Sequence, residues 1–147
     1  MDNSYPHNLS KTAIIFVVLT AIFHVLFFVA ESILWLQPYI YENFLSQAGQ
    51  FEVDINTQAK IMETVFFNQG FYNLFLALGL LYGLFTFPKS RSKEAQFLIK
   101  YICLYCVGAA LVLFFSAGAI KGAIVQGIPP LVALIAIYFN NKHSAEN

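Results

Sequence analysis

The chain has 147 residues, of which 59% are hydrophobic and 11% charged, and its formal net charge is zero. An ordinary soluble domain carries about 25% charged residues, so this composition points to a surface that mostly faces membrane lipid. The neutral balance gives a nucleic-acid partner no electrostatic support.

Four apolar runs are long enough to cross a bilayer, which takes about 20 residues of helix. They cover 13–36, about 64–87, about 97–120 and about 123–139. An open strand could not satisfy its backbone in lipid. The predicted fold class is therefore all-α: one integral domain over residues 1–147, built as a bundle of four transmembrane helices.

The first run contains Glu31, an ionisable group at a place where such groups are costly and are usually kept for a function. His24 lies seven residues earlier, close to two turns, and Trp35 adds one more turn to that stripe. Phe28-Val29-Ala30 lacks the small-x-small pattern of a signal cleavage site, and the run is longer than a signal-peptide core, so it is expected to stay as a helix.

The loop after it, residues 37–63, carries Glu42, Glu52 and Asp54 against the single base Lys60. Within it, Pro38-Tyr39-Ile40-Tyr41-Glu42-Asn43-Phe44-Leu45 has a helix-start proline and apolar residues at 40, 44 and 45. A short helix is expected there. It would lie on the outer leaflet or cap the bundle.

The second run opens with Phe67-Asn68-Gln69-Gly70-Phe71-Tyr72-Asn73, which places three amides in an apolar helix. Asn68 and Tyr72 share one face, Gln69 and Asn73 the adjoining one. Unpaired amides in hydrocarbon cost several kcal/mol (~4–8 in cyclohexane), so both faces should turn inward. Glu31 is then expected to meet Asn68 or Gln69, and His24 to meet Asn73 one to two turns deeper. Gly79-x-x-x-Gly83 signals close helix packing.

Lys89, Arg91, Lys93 and Lys100 surround the loop before the third run. Cys103 and Cys106 have C-x-x-C spacing, but they lie within an apolar helix and read as small packing residues rather than a redox pair. A second small-residue pair, Gly118-x-x-x-Gly122, flanks Lys121. That lysine either snorkels to the interface or pairs with Glu31 or an anionic head group. The fourth run begins at Gln126-Gly127-Ile128-Pro129-Pro130. Two prolines fit a first helical turn or a broken entry, where freed carbonyls could line a cup. Gln69-Gly70 and Gln126-Gly127 occupy similar positions in the second and fourth runs.

Lys11, the second-loop bases and Lys142 place both termini and the second loop in the cytoplasm; the acidic first loop faces outward. The strongly polar intramembrane groups then fall in the outer half or at the midplane, over an apolar inner half.

These residues together resemble a family of small bacterial integral membrane proteins described as domain of unknown function thirteen-zero-four. The resemblance rests on Glu31 with Trp35, on Asn68-Gln69-Gly70-Phe71-Tyr72-Asn73-Leu74-Phe75-Leu76-Ala77, and on Gly118 with Gly122 followed by Gln126-Gly127-Ile128-Pro129. It covers nearly the whole chain. Leu74 departs from the family's Tyr-Asn-Gly-Phe-Leu-Ala, and Pro130 from its Pro-Ala. The resemblance implies the class and a bacterial plasma membrane, with no known activity.

The favoured function is binding or moving a small or amphipathic molecule through an outward-facing polar cup. Its ligand-binding residues would be Glu31, His24, Asn68, Gln69, Asn73, Tyr72, Trp35, Gln126 and Lys121. Membrane lipid is the expected partner, and a homo-oligomer could complete a pathway that one subunit lacks. No cofactor is expected, and His24 with Glu31 alone offers too few ligands for a metal. Two readings compete. In one, Glu31 and His24 are acid and base toward a lipid or quinone-like substrate. In the other, the polar groups only hold the helices together.

Overall fold

The computed structural model describes residues 9–45, 52–87 and 92–146, and among them the protein is helical without strands. Helix α1 (Lys11–Phe28) runs into a π-helical turn (Val29–Ile33), followed by α2 (Pro38–Leu45), α3 (Ile55–Thr86), α4 (Ser92–Ala117) and α5 (Ile120–Glu146). Four of these stretches, α1 with its π turn, α3, α4 and α5, are long and apolar enough to cross a membrane. The basic residues Lys89 and Arg91 lie outside the described residues.

Side-chain caps set two of the starts. The Ser10 hydroxyl accepts from the Ala13 amide at 3.2 Å. Asp54 Oδ1 accepts from the Asn56 and Thr57 amides at 3.1 Å each, and the Thr57 hydroxyl donates to Oδ2 at 2.6 Å. These bonds to its charged form hold the Asp54 carboxyl below its ordinary range, the Thr57 hydroxyl contributing most. They also start α3 well before the expected position near 64. The added turns are amphipathic rather than uniformly apolar. Ala59 is buried, with Ile55, Met62 and Phe66 packed around it, so a pure hydropathy criterion stops short of them.

The four long helices form a ring in which α1 packs between α3 and α5, and α4 also packs between α3 and α5. Lipid tails are as apolar as the side chains they would replace, so close packing must hold such a ring together. Gly79 and Gly83 supply it between α3 and α4. A Cβ at Gly83 would lie 2.7 Å from Ile99 Cγ1, and one at Gly79 would lie 2.6 Å from Ile102 Cδ1. The core around them joins Leu80, Ile99, Cys103, Ala133 and Ile137, all buried. At this end Gln96 and Asn141 exchange two amide hydrogen bonds of 3.2 and 3.1 Å between α4 and α5.

Gly118 does not pack as its spacing suggests. It has φ +62°, and a Cβ there would meet nothing within 4 Å. It makes the left-handed turn that lets α5 start after only two intervening residues. Pro129 and Pro130 are a second correction. They lie inside α5, both buried, not in its first turn. Lipid-buried helices tolerate prolines when neighbours make up for the lost bonds.

The predicted short helix is present as α2. It folds over the start of α3 and packs Tyr41 and Leu45 with Trp35 and Ala59. It caps this end of the bundle.

Candidate ligand cavity

The cavity begins with the π turn. Leu34 N–H donates to the Val29 carbonyl at 2.9 Å, closing a five-residue step where an α-helix would take four. Such turns are rare and recur at functional sites. The extra residue turns Glu31 inward, and only 6% of its surface is exposed. The Asn73 amide donates to its Oε2 at 2.8 Å. Next to it, the Ser32 hydroxyl donates to the Phe67 carbonyl at 2.7 Å. The π turn sits directly on Gly70, where a Cβ would collide with the Ser32 hydroxyl and come within 3.1 Å of the Ser32 nitrogen. Because Gly70 has no side chain, the turn that carries Glu31 can lie against α3.

Beyond Glu31 the helices separate around a cavity of about 770 Å³. Its walls are apolar, with Phe27 from α1, Phe44 from α2, Met62 and Phe66 from α3, Leu113 from α4 and Val125 from α5. The polar groups that reach it include Glu31, Asn73, Gln69, Lys121 and Gln126. Glu31 uses one oxygen on Asn73. Every fully buried side-chain polar atom among the described residues has a hydrogen-bond partner. The other oxygen, which makes no bond to a described residue, therefore opens on the cavity.

Each Gln-Gly pair performs the same local job. Gln69 and Gln126 line the cavity, and the glycine after each meets a neighbouring element closely, Gly70 against Ser32 and Gly127 against Ala110. The prolines add a backbone acceptor. The Gln126 carbonyl would receive a helical hydrogen bond from residue 130 or, in a tighter turn, from residue 129. Both are prolines and have no N–H.

Several expected site residues lie elsewhere. His24 is fully buried and does not line the cavity. Its Nδ1 is 2.8 Å from the Thr20 carbonyl, which can only accept, so Nδ1 carries the proton. Nε2 is then an acceptor, and the Cys106 thiol donates to it at 3.2 Å. The expected contacts of His24 with Asn73, and of Glu31 with Asn68 or Gln69, are replaced by His24–Cys106 and Glu31–Asn73. Asn68 and Tyr72 are exposed on the outer face of α3, and Tyr72 is 59% exposed. Of the two adjoining faces, only that of Gln69 and Asn73 reaches the cavity, with Asn73 buried and Gln69 at an exposed edge. Trp35 lies beyond the end of the helix. Its indole N–H donates to the Ala59 carbonyl at 2.8 Å and its ring stacks on Phe66 at 3.7 Å. It supports a cavity wall from behind. Lys121 lines the cavity but forms no ion pair with Glu31.

The sequence does not single out the walls Phe27, Phe44, Leu113 and Val125. One signal does point to the first of them: Phe27 and Glu31 are four residues apart, hence neighbours on one helical face. Cys106 reads as mere packing because its histidine partner lies 82 positions away in sequence.

The helices and cavity define a class, a four-helix multi-pass membrane bundle with a polar-based pocket. The family model described as "Protein of unknown function (DUF1304)" matches residues 18–138, and the chain belongs to that family. The match includes every residue that lines the cavity, Glu31 and Asn73 among them, and it bears out the resemblance carried by the Glu31, Asn68–Ala77 and Gln126–Pro129 segments. No curated protein and no solved structure matches the chain.

Proposed function

We propose that this protein binds a small or amphipathic molecule in the cavity at Glu31, in a bacterial plasma membrane with both termini in the cytoplasm. The observation that carries this reading is the free Glu31 oxygen at the base of an apolar space of about 770 Å³. Ligand pockets of about 300–1,000 Å³ have this make-up: apolar walls and a few placed polar groups. The side chains of Lys121, Gln69 and Gln126 reach the same cavity and form no hydrogen bond or ion pair with any described residue.

The Lys and Arg distribution favours an outward-facing mouth. The opposite half of the bundle is filled by Leu80, Ile99 and Ile137, which supports binding over passage through a single subunit. The acid–base enzyme reading loses its second group, because His24 is occupied by Thr20 and Cys106 outside the cavity.

Native mass spectrometry of gently extracted protein tests the proposal. One retained small amphiphile per chain, lost in an Ala117→Phe variant that fills the cavity, is the expected result. Retention unchanged by that variant would count against the cavity as the site.

A further inference from the structure

We propose that the occupant is a single-chain zwitterion, with its ammonium group on Glu31 and its anionic group on Lys121. This rests on the binding reading above and names the chemical class it takes. Two ionisable side chains of opposite sign line one cavity, and no ion pair joins them. Their positions differ in depth. Glu31 is buried on the π turn, while Lys121 is exposed as the second residue of α5.

A ligand of one sign would satisfy one of these groups and leave its own charge to repel the other. Charge interactions are strongest at the buried Glu31 end, where the effective dielectric is lower than in water. A zwitterion neutralises both and adds no net charge to an apolar space. The free Glu31 oxygen accepts a hydrogen bond, which calls for an ammonium that still carries N–H. Phe27 and Phe66 in the walls offer apolar surface to a chain. The volume suits a drug-sized molecule, which fits one chain better than two.

The test is direct binding to the full chain in lipid nanodiscs, with protein-free nanodiscs as the blank. Four tritiated probes with the same alkyl chain are compared: dodecylphosphoethanolamine, dodecyl phosphate, dodecylamine and dodecanol. The zwitterion should bind at least about tenfold more tightly than the other three. Glu31→Gln, which keeps an acceptor for Asn73, should erase its advantage over dodecyl phosphate. Lys121→Met should erase its advantage over dodecylamine, with Lys121→Gln as a second variant and thermal melts as the folding control. Equal binding of all four probes would overturn the zwitterion and leave the cavity reading standing. So would tightest binding of a single-sign probe. If no probe binds above the blank, the zwitterion proposal and the binding proposal both fail.

Discussion

The two halves of the bundle are built from the same apolar alphabet and treat space and polarity in opposite ways. In the half around Gly79 and Gly83, glycines draw α3 onto α4 until Ile99 and Ile102 leave no room for a methyl group. The buried polar side chains of that half and of the midsection are closed. Gln96 and Asn141 satisfy each other, and His24 is held by Thr20 and Cys106. In the half around Glu31 the helices part, and the polar groups are only partly satisfied. Glu31 keeps one oxygen open, and Gln69, Gln126 and Lys121 have no partner among the described residues. Polar residues in an apolar helix are therefore not evidence of a site by themselves. The evidence is a polar group left incomplete beside a space.

This contrast can be broken most severely by adding bulk. Gly83→Leu should destabilise the protein by about 1–3 kcal/mol or more, since overpacking forces side chains and backbone apart. Ala117→Leu, in the cavity wall, should leave stability nearly unchanged and weaken ligand retention. Melting temperatures of the two variants check the pair, and equal losses would mean that the halves are packed alike.

The next effect concerns the carboxyl. Glu31→Leu should cost about 1–3 kcal/mol by stranding the Asn73 amide. Glu31→Gln should keep the fold and lose any function that needs charge or proton exchange. A fully active Gln variant would reduce the carboxyl to a structural part.

Cys106→Ala should cost about 1 kcal/mol because His24 Nε2 loses its donor. Cys106→Ser restores one, and Cys103→Ala should be milder than either. If Cys103→Ala and Cys106→Ala melt alike, the thiol–imidazole contact contributes nothing.

The smallest effect is at the start of α3. Asp54→Ala should fray the first turn, detectable as faster amide exchange at Asn56 and Thr57. The same fraying should appear in the unaltered protein on acidification. The capping carboxyl is held low, so its contribution is complete above the ordinary carboxylate range and fades as pH falls through the lowered value. The orientation has a separate test. Single cysteines at Asn3 and Ser92 should resist an impermeant reagent in intact cells, and one at Asp54 should react. The reverse pattern would turn the cavity mouth toward the cytoplasm.

Much of the fold can be read from the chain. Four long apolar runs give the four long helices, and Pro38 with Ile40, Phe44 and Leu45 gives α2. Glu31 turns inward because a carboxyl in lipid has nowhere else to go. Its partner is harder to read, for two physical reasons. The helix carrying Glu31 ends at Ile33 rather than Leu36, through a π turn that periodicity does not reveal. In addition, α3 begins at Ile55, so Asn68 lies several turns from its start and not one. The choice between the Asn68–Tyr72 and Gln69–Asn73 faces depends on Gly70, whose missing side chain decides where the π turn rests. The prolines suggest a helix start because an isolated helix cannot hold two of them in its interior, whereas a packed one can.

The most direct test uses a feature of composition. The chain has two methionines, Met1 and Met62, and Met62 lines the cavity. Replacing methionine by photo-methionine in growing cells puts a diazirine in the cavity wall with little change of shape. A second protein, with Met62→Leu and Phe85→Met, moves the probe to a surface position that is 74% exposed in the native protein. After irradiation, one discrete small-molecule adduct is expected at position 62 and a spread of bulk lipid adducts at position 85. Matching bulk-lipid patterns at both positions would contradict it, because the space beside Glu31 would then be ordinary membrane.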